Sequence, residues 1–208
     1  AKKLKVLPSI MSRELIRELF QYLEGVDLLL VKLMYGCGLR CGEVYKLRVG
    51  DVDLRKASVR VMSDKGVVKR EVFLPTGLCL ELKRHLIFVK GLYLSDQGLG
   101  LSGRWEEYYL FPSLSLARAE KASEMRRDHY NDRSLRRHFN AALETLNLKG
   151  AYKLGALRDS FAVHYLEEGG DVRTLQVLMG HQKVAQTIIY SRLAGDQVGQ
   201  IKSPLDKL

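Results

Sequence analysis

Cysteine is scarce in this chain of 208 residues: Cys37, Cys41 and Cys79 are an odd number, make no CxxC pair, and accompany no histidine cluster at metal-ligand spacing. That pattern points to a reduced, intracellular setting. Long apolar runs are also missing. The longest, such as 26–34, is broken by Asp27 and Lys32 and falls short of a membrane span. The opening residues lack a signal-peptide profile, so a soluble cytoplasmic protein with no membrane partner is expected. Internal repeats, low-complexity tracts and a convincing linker are absent too, which leaves one large domain as the default. The start at Ala1, followed by Lys2, Lys3 and Lys5 rather than an initiator Met, hints at a fragment of a longer chain.

What is abundant is positive charge. Thirty-four Lys and Arg against 24 Asp and Glu give a formal charge of +10, which favours a polyanion such as nucleic acid. The excess alone does not place the cations on one face, so their arrangement must decide. The densest block, 116–137, carries Arg118, Lys121, Arg126, Arg127, Arg133, Arg136 and Arg137, interleaved with His129 and Tyr130. It reads either as a solvated helical face or as a phosphate-contacting surface.

Hydrophobic periodicity outlines the elements. Ser9 or Ser12 could cap a helix through Leu15, Ile16, Leu19, Phe20 and Leu23, ending near Gly25; a second apolar helix covers 28–35. Gly36 and Gly38 interrupt it, and a new helix begins near Arg40 with Val44 and Leu47 on one face. From Ser58 the period becomes two. Val59 and Val61, then Val68, Arg70, Val72 and Leu74, make a hairpin around the turn Ser63-Asp64-Lys65-Gly66. Leu78, Leu82, Leu86 and Val89 mark a further helix, 91–103 reads as a Gly- and Ser-containing connection, and helices follow at 157–167, 172–179 and 184–193.

Four segments far apart in sequence offer groups suited to phosphoryl transfer: Arg40 with Glu43, Lys65 on the hairpin, Arg158, and His181 followed by Tyr190. Without a metal, cleaving a phosphodiester requires cations for the non-bridging oxygens and a proton donor for the leaving oxygen. Arginine forks meet the first need, and Glu43 lies on the helical face that could orient Arg40. Each group also has a plainer reading. Arg40 could be a helix-start arginine, Lys65 a solvated turn lysine, and Tyr190 a core aromatic beside Ile188 and Ile189.

The segments YGCGLRCGEVYKLRVGDVDL at 35–54, DKGVVKREVFLP at 64–75, ALRDSFAVHYLEEGGDVRTLQVLMGH at 156–181 and QTIIYSRL at 186–193 together resemble the tyrosine recombinase family of lambda-type integrases over nearly the whole chain. The stretch 126–130 and the end at 203–208 resemble integron integrases in particular. The resemblance implies a mainly helical α+β catalytic domain with a small antiparallel β-sheet, lacking the family's N-terminal core-binding domain. It implies site-specific DNA cleavage and rejoining without a cofactor, in a tetramer on two duplexes; the helix from about Gly195 to Leu208 either docks onto a neighbouring protomer, as in relatives, or is a frayed tail. Tyr190 would form a 3′-phosphotyrosyl bond, Arg40 and Arg158 would hold the phosphate, His181 would hydrogen-bond to it, and Lys65 would protonate the 5′ oxygen. Arg118, Lys121, Arg126, Arg127, Arg136 and Arg137 would contact DNA.

One departure bears on chemistry. The family's histidine three residues before the second arginine, which the resemblance implies is the acid-base partner of the tyrosine, is Gly155 here; Asp159, where many members have a further histidine, is not counted among the chemical groups. Three outcomes remain open: a weakened but active site, replacement by a nearby group such as Lys153, or loss of catalysis with DNA binding retained. A type IB topoisomerase-like enzyme shares the phosphotyrosine chemistry but matches these motifs less well.

Overall fold

The apolar stripe near the start of the chain folds as α1, Arg13–Gln21, where N-cap Ser12 accepts a hydrogen bond from the Leu15 amide. The computed structural model describes residues 7–101, 103–118 and 125–195. Lys2, Lys3, Lys5, Lys121 and the segment 196–208, which holds most of the expected docking helix, lie outside the described residues.

Helix α2, Gly25–Cys37, is longer than the 28–35 expected. It carries Leu29, Leu30, Val31, Leu33, Met34 and Cys37 into the core and ends at Gly38, whose φ of +63° is the left-handed conformation of a glycine cap. Arg40 then caps α3, Cys41–Tyr45, as the glycine break implied. Strands β1, Val52–Asp53, β2, Ser58–Met62, and β3, Val68–Phe73, form an antiparallel sheet in which Val59 pairs with Val72 and Val61 with Arg70. The alternation turns Val59, Val61 and Val72 inward, and Arg70 with them. The result is the expected mainly helical α+β domain with a small antiparallel sheet.

Two elements differ from the expectation. The apolar stripe does not stop before Gly91, because α4 runs Thr76–Gly98 and buries Leu78, Leu82, His85, Val89, Tyr93 and Asp96. A helical glycine costs about 1 kcal/mol relative to alanine. Here, aromatic packing of Tyr93 on Trp105 and Tyr108 and a buried ion pair at Asp96 outweigh that cost. The basic block is not one helical face either. It folds as a second antiparallel pair, β4, Pro112–Arg118, with β5, Met125–His129, followed by α5, Asp132–Thr145, capped by Asn131.

Arg127 departs from the surface phosphate contact expected of it. Its Nε and Nη2 donate to the two carboxylate oxygens of Asp96 at 2.6 and 2.7 Å, and its Nη1 donates to the carbonyls of Ser113 and Leu114. The Tyr108 hydroxyl donates to the same carboxylate at 2.6 Å. The Arg127 side chain is only 8% exposed, so this guanidinium ties β4 and β5 to α4 rather than facing solvent. Its hydrogen bonds outweigh burial and hold the Asp96 carboxyl below the ordinary range.

The three C-terminal helices, α6, Gly155–Glu167, α7, Val172–Met179, and α8, Ile188–Leu193, follow the periodicity closely, although a 3₁₀ turn at 184–186 shortens the last. Helix α6 is buried on nearly every side, from Ala156, Leu157 and Arg158 through Leu166, and packs against α2, α7 and α8. It is the axis on which the candidate site is mounted.

Removing one member of a buried ion pair strands the other. Arg127→Ala is therefore expected to lower unfolding free energy by about 3 kcal/mol. Arg126→Ala, at an exposed neighbour, is expected to stay within about 0.5 kcal/mol. Denaturant unfolding of the two variants measures the contrast.

Candidate active site

The ends of two helices hold the arginines. The last carbonyls of an α-helix have no partner inside the helix and carry its negative dipole end. The Gly38 carbonyl, after α2, accepts from Arg158 Nη1 at 2.6 Å; the Met179 carbonyl, at the end of α7, accepts from Arg158 Nη2, and the Leu178 carbonyl accepts from Arg70 Nε at 2.7 Å. Gly38 and Gly180 both take positive φ to end these helices, and both are tightly framed. A Cβ at Gly38 would meet Phe161 at 2.6 Å, and one at Gly180 would meet Arg70 at 3.0 Å.

Glu43 lies at the centre. Its carboxylate accepts two parallel bonds from Arg70 at 2.8 Å each, one from Arg40 Nη1 at 3.0 Å and one from the Arg40 backbone amide at 2.7 Å, and stands 3.6 Å from Arg158 Nη1. Arg40, Arg70 and Arg158 thus share one anion. Arg70 and Arg158 are buried, with 3% and 8% of their side chains exposed, whereas Arg40 is 51% exposed and turns into the surface clefts. Glu43 does orient Arg40 as expected, but its bidentate partner is Arg70, which sequence reading did not assign to the site. A signal for it existed: Arg70 occupies an inward phase of an apolar alternating strand, and a buried charge requires a partner.

Tyr190 approaches from α8. The residue is 7% exposed, and its hydroxyl donates to Asp159 Oδ1 at 2.6 Å. The His181 ring lies parallel to the Tyr190 ring with centroids 6.2 Å apart, and its Nδ1 pairs with the hydroxyl of fully buried Thr187 at 2.9 Å. Asp159 therefore enters the site although sequence reading set it aside. Lys153, considered there as a substitute for the missing histidine, is exposed, and Tyr190 is paired to Asp159 instead. At Gly155, the first residue of α6, a Cβ would meet nothing within 4 Å.

Lys65 stands exposed in the turn between β2 and β3, and among the described residues no hydrogen bond joins it to the arginine cluster. The hairpin nonetheless borders the same surface. Asp64, Gly66 and Lys69 line a cleft with Arg40 and Arg126, and a second cleft beside it is lined by Arg40, Lys69, Arg70 and His181. Arg126, Arg136 and Arg137 are exposed. Arg126 and Arg136 make only long surface pairs, with Asp128 at 3.3 Å and Asp132 at 3.4 Å. Arg118 ends β4. Among the described residues no cluster of His, Cys, Asp or Glu could hold a metal, and no helix is long and apolar enough to cross a membrane.

The charges set one another. Burial pushes the Glu43 carboxyl up, but hydrogen bonds from Arg70 and the Arg40 amide and the charges of Arg70 and Arg158 hold it down at about 2. Burial, and then the repulsion of Arg40, lower Arg158 to about 10 against the pull of Glu43. His181 falls to about 4 through burial and the charges of Arg158, Arg40 and Arg70, so its imidazole is neutral at pH 7. Burial and the hydrogen bond to Asp159 raise the Tyr190 phenol. Burial also raises Asp159, against the hydrogen bond from Tyr190 and the charge of Arg158.

A carboxyl whose folded value of about 2 lies below its ordinary 4.5 contributes stability that is fully present above pH 4.5 and is lost as pH falls toward 2. Glu43→Gln is expected to cost about 3–5 kcal/mol at neutral pH by leaving the arginines uncompensated. The difference from the parent chain should shrink through that acidic window, as read by denaturant unfolding at a series of pH values.

A model of the phage integrase family matches residues 9–196. An integrase/recombinase of Escherichia coli is 30% identical over 97% of this chain and 65% of its own length. The tyrosine recombinase XerA of Thermococcus kodakarensis is 32% identical over 90% of this chain and 59% of its own length. The chain thus spans less than two thirds of the length of these curated relatives. Among solved structures, XerA recombinase superposes with a TM-score of 0.67 at 24% identity, covering 95% of this chain and 64% of its own. The catalytic domain of bacteriophage HP1 integrase superposes with a TM-score of 0.60 at 18% identity, covering 93% and 92%. With a family model spanning most of its length and this fold in common, the chain belongs to the phage integrase family.

Proposed function

We propose that this chain is the catalytic domain of a site-specific DNA recombinase of the integron-integrase type, cleaving and rejoining DNA through a 3′-phosphotyrosyl bond on Tyr190. The observation that carries the reading is the convergence of Arg40, Arg70 and Arg158 on one carboxylate, in the same site as Tyr190 and His181. Exposed Arg40 offers its fork to the scissile phosphate, while Arg158 and Arg70 supply fixed positive potential from behind it. Donors aimed in advance at developing charge need no reorganisation as the reaction proceeds. Neutral His181 hydrogen-bonds to a phosphate oxygen, with its ring held by Thr187. Lys65, on the hairpin tip, folds over bound DNA and protonates the departing 5′ oxygen. Storing the phosphodiester energy in the phenolic ester lets a second strand rejoin without a nucleotide or metal cofactor.

Arg118, Lys121, Arg126, Arg136 and Arg137 contact the DNA backbone, and the working assembly is a tetramer on two duplexes. The relatives' greater length is consistent with a companion domain that completes the grip on DNA. A second reading, a DNA-binding protein of this fold that has lost cleavage, draws on two observations: Tyr190 is only 7% exposed, and Gly155 stands where the resemblance calls for an imidazole.

A labelled, nicked suicide duplex carrying an integron-type site, resolved on a denaturing gel, separates the two. The chain is expected to form a covalent DNA adduct that Tyr190→Phe abolishes. Salt-sensitive binding with no adduct would favour the silent binder. In binding titrations against salt, Arg126→Ala, Arg136→Ala and Arg137→Ala should each reduce the slope of log K against log salt by about 1.

A further inference from the structure

We propose that Asp159 is the proton acceptor for Tyr190, taking in this chain the general-base role that an imidazole at Gly155 would otherwise fill. The proposal rests on the reading of Tyr190 as nucleophile and extends it to a residue that the resemblance does not count among the chemical groups.

Three observations converge. The Tyr190 hydroxyl donates to Asp159 Oδ1 at 2.6 Å, the distance of a short hydrogen bond to a carboxylate, so the acceptor is already in place on the proton that must leave. Gly155 and Asp159 are four residues apart in α6 and therefore lie on one face, one turn from each other. A Cβ at 155 would meet nothing within 4 Å, so this face of α6 has room for a side chain one turn before Asp159. Helix α6 is packed on nearly every side, and a base mounted on it is held more firmly than one on a loop such as that carrying Lys153.

The carboxylate is also suited to the task. It is partly buried, and burial raises its affinity for a proton toward the working pH, where a general base is most effective. The hydrogen bond from Tyr190 and the charge of Arg158, the preceding residue, oppose that rise. During cleavage the Tyr190 O–H bond breaks and its proton passes to Asp159 Oδ1. The phenolic oxygen bonds to phosphorus, the bond from phosphorus to the 5′ oxygen breaks, and that oxygen takes its proton from the Lys65 ammonium. Rejoining reverses each transfer: the incoming 5′ hydroxyl attacks phosphorus, and the departing phenolate recovers its proton from Asp159.

The test is the rate of adduct formation on the nicked duplex for the parent chain, Asp159→Asn, and Asp159→Asn combined with Gly155→His. Asparagine keeps the size and a hydrogen-bond acceptor but cannot take a proton. The single variant is expected to form the Tyr190 adduct about 10²-fold or more slowly with DNA affinity unchanged, and the added imidazole to recover at least about tenfold. In parallel, the carbon-13 resonance of the Tyr190 ring, assigned with Tyr190→Phe, should track protonation of Asp159 in the parent chain, a readout independent of DNA and of the Asp159→Asn variant's folding. An Asp159→Asn rate within threefold of the parent, a faster one, or a Tyr190 resonance blind to the carboxyl would overturn the proposal. A parent chain that forms no Tyr190-dependent adduct would instead overturn the nucleophile reading, and Asp159's role with it.

Discussion

A single carboxylate, that of Glu43, makes the rest of the site sustainable. Three guanidiniums that never lose their charge at working pH repel one another, and two of them are buried, where water cannot screen them. Glu43 accepts from Arg70 and Arg40 and lies 3.6 Å from Arg158, and the ends of α2 and α7 contribute carbonyls to the remaining donors. The cluster still carries net positive charge. Its depressing effect on His181 and Arg158 is the same field seen from the protein's side.

Helix termini do much of the positioning. The glycine ends of α2 and α7 are narrow positions where a Cβ would strike Phe161 or Arg70, and each exposes its carbonyls toward the arginines. Arg40, at the start of α3, is a cation at the wrong end of a helix dipole, a placement that Glu43 at the third helical position relieves. Charge at a helix end here serves both local stability and the geometry of the site.

The surplus of positive residues divides into two populations by burial rather than by neighbourhood in sequence. Arg126 and Arg127 are adjacent, yet one is exposed and the other is locked to Asp96 inside the protein. Strand geometry explains the difference: consecutive side chains of β5 point to opposite faces, so one stands in solvent and the other reaches the Asp96 carboxylate.

Most of the element order, the small sheet, and the positions of Arg40, Glu43, Arg158, His181 and Tyr190 were legible in the sequence, because hydrophobic period and helix caps are local signals and the motifs are compact. The strands at 112–118 and 125–129 and the second half of α4 were not, since β5 carries no apolar alternation and the Asp96–Arg127 contact joins residues far apart in the chain. The partners of Arg70 and Asp159 were decided only by the tertiary structure. A buried arginine in a strand announces that it needs an anion, but not which one, and a carboxylate after Arg158 shows no sign of the tyrosine that will meet it from another helix. Those partners are chosen by packing across the core, where the energetic penalty of an unpaired buried charge selects among contacts that the linear chain leaves open.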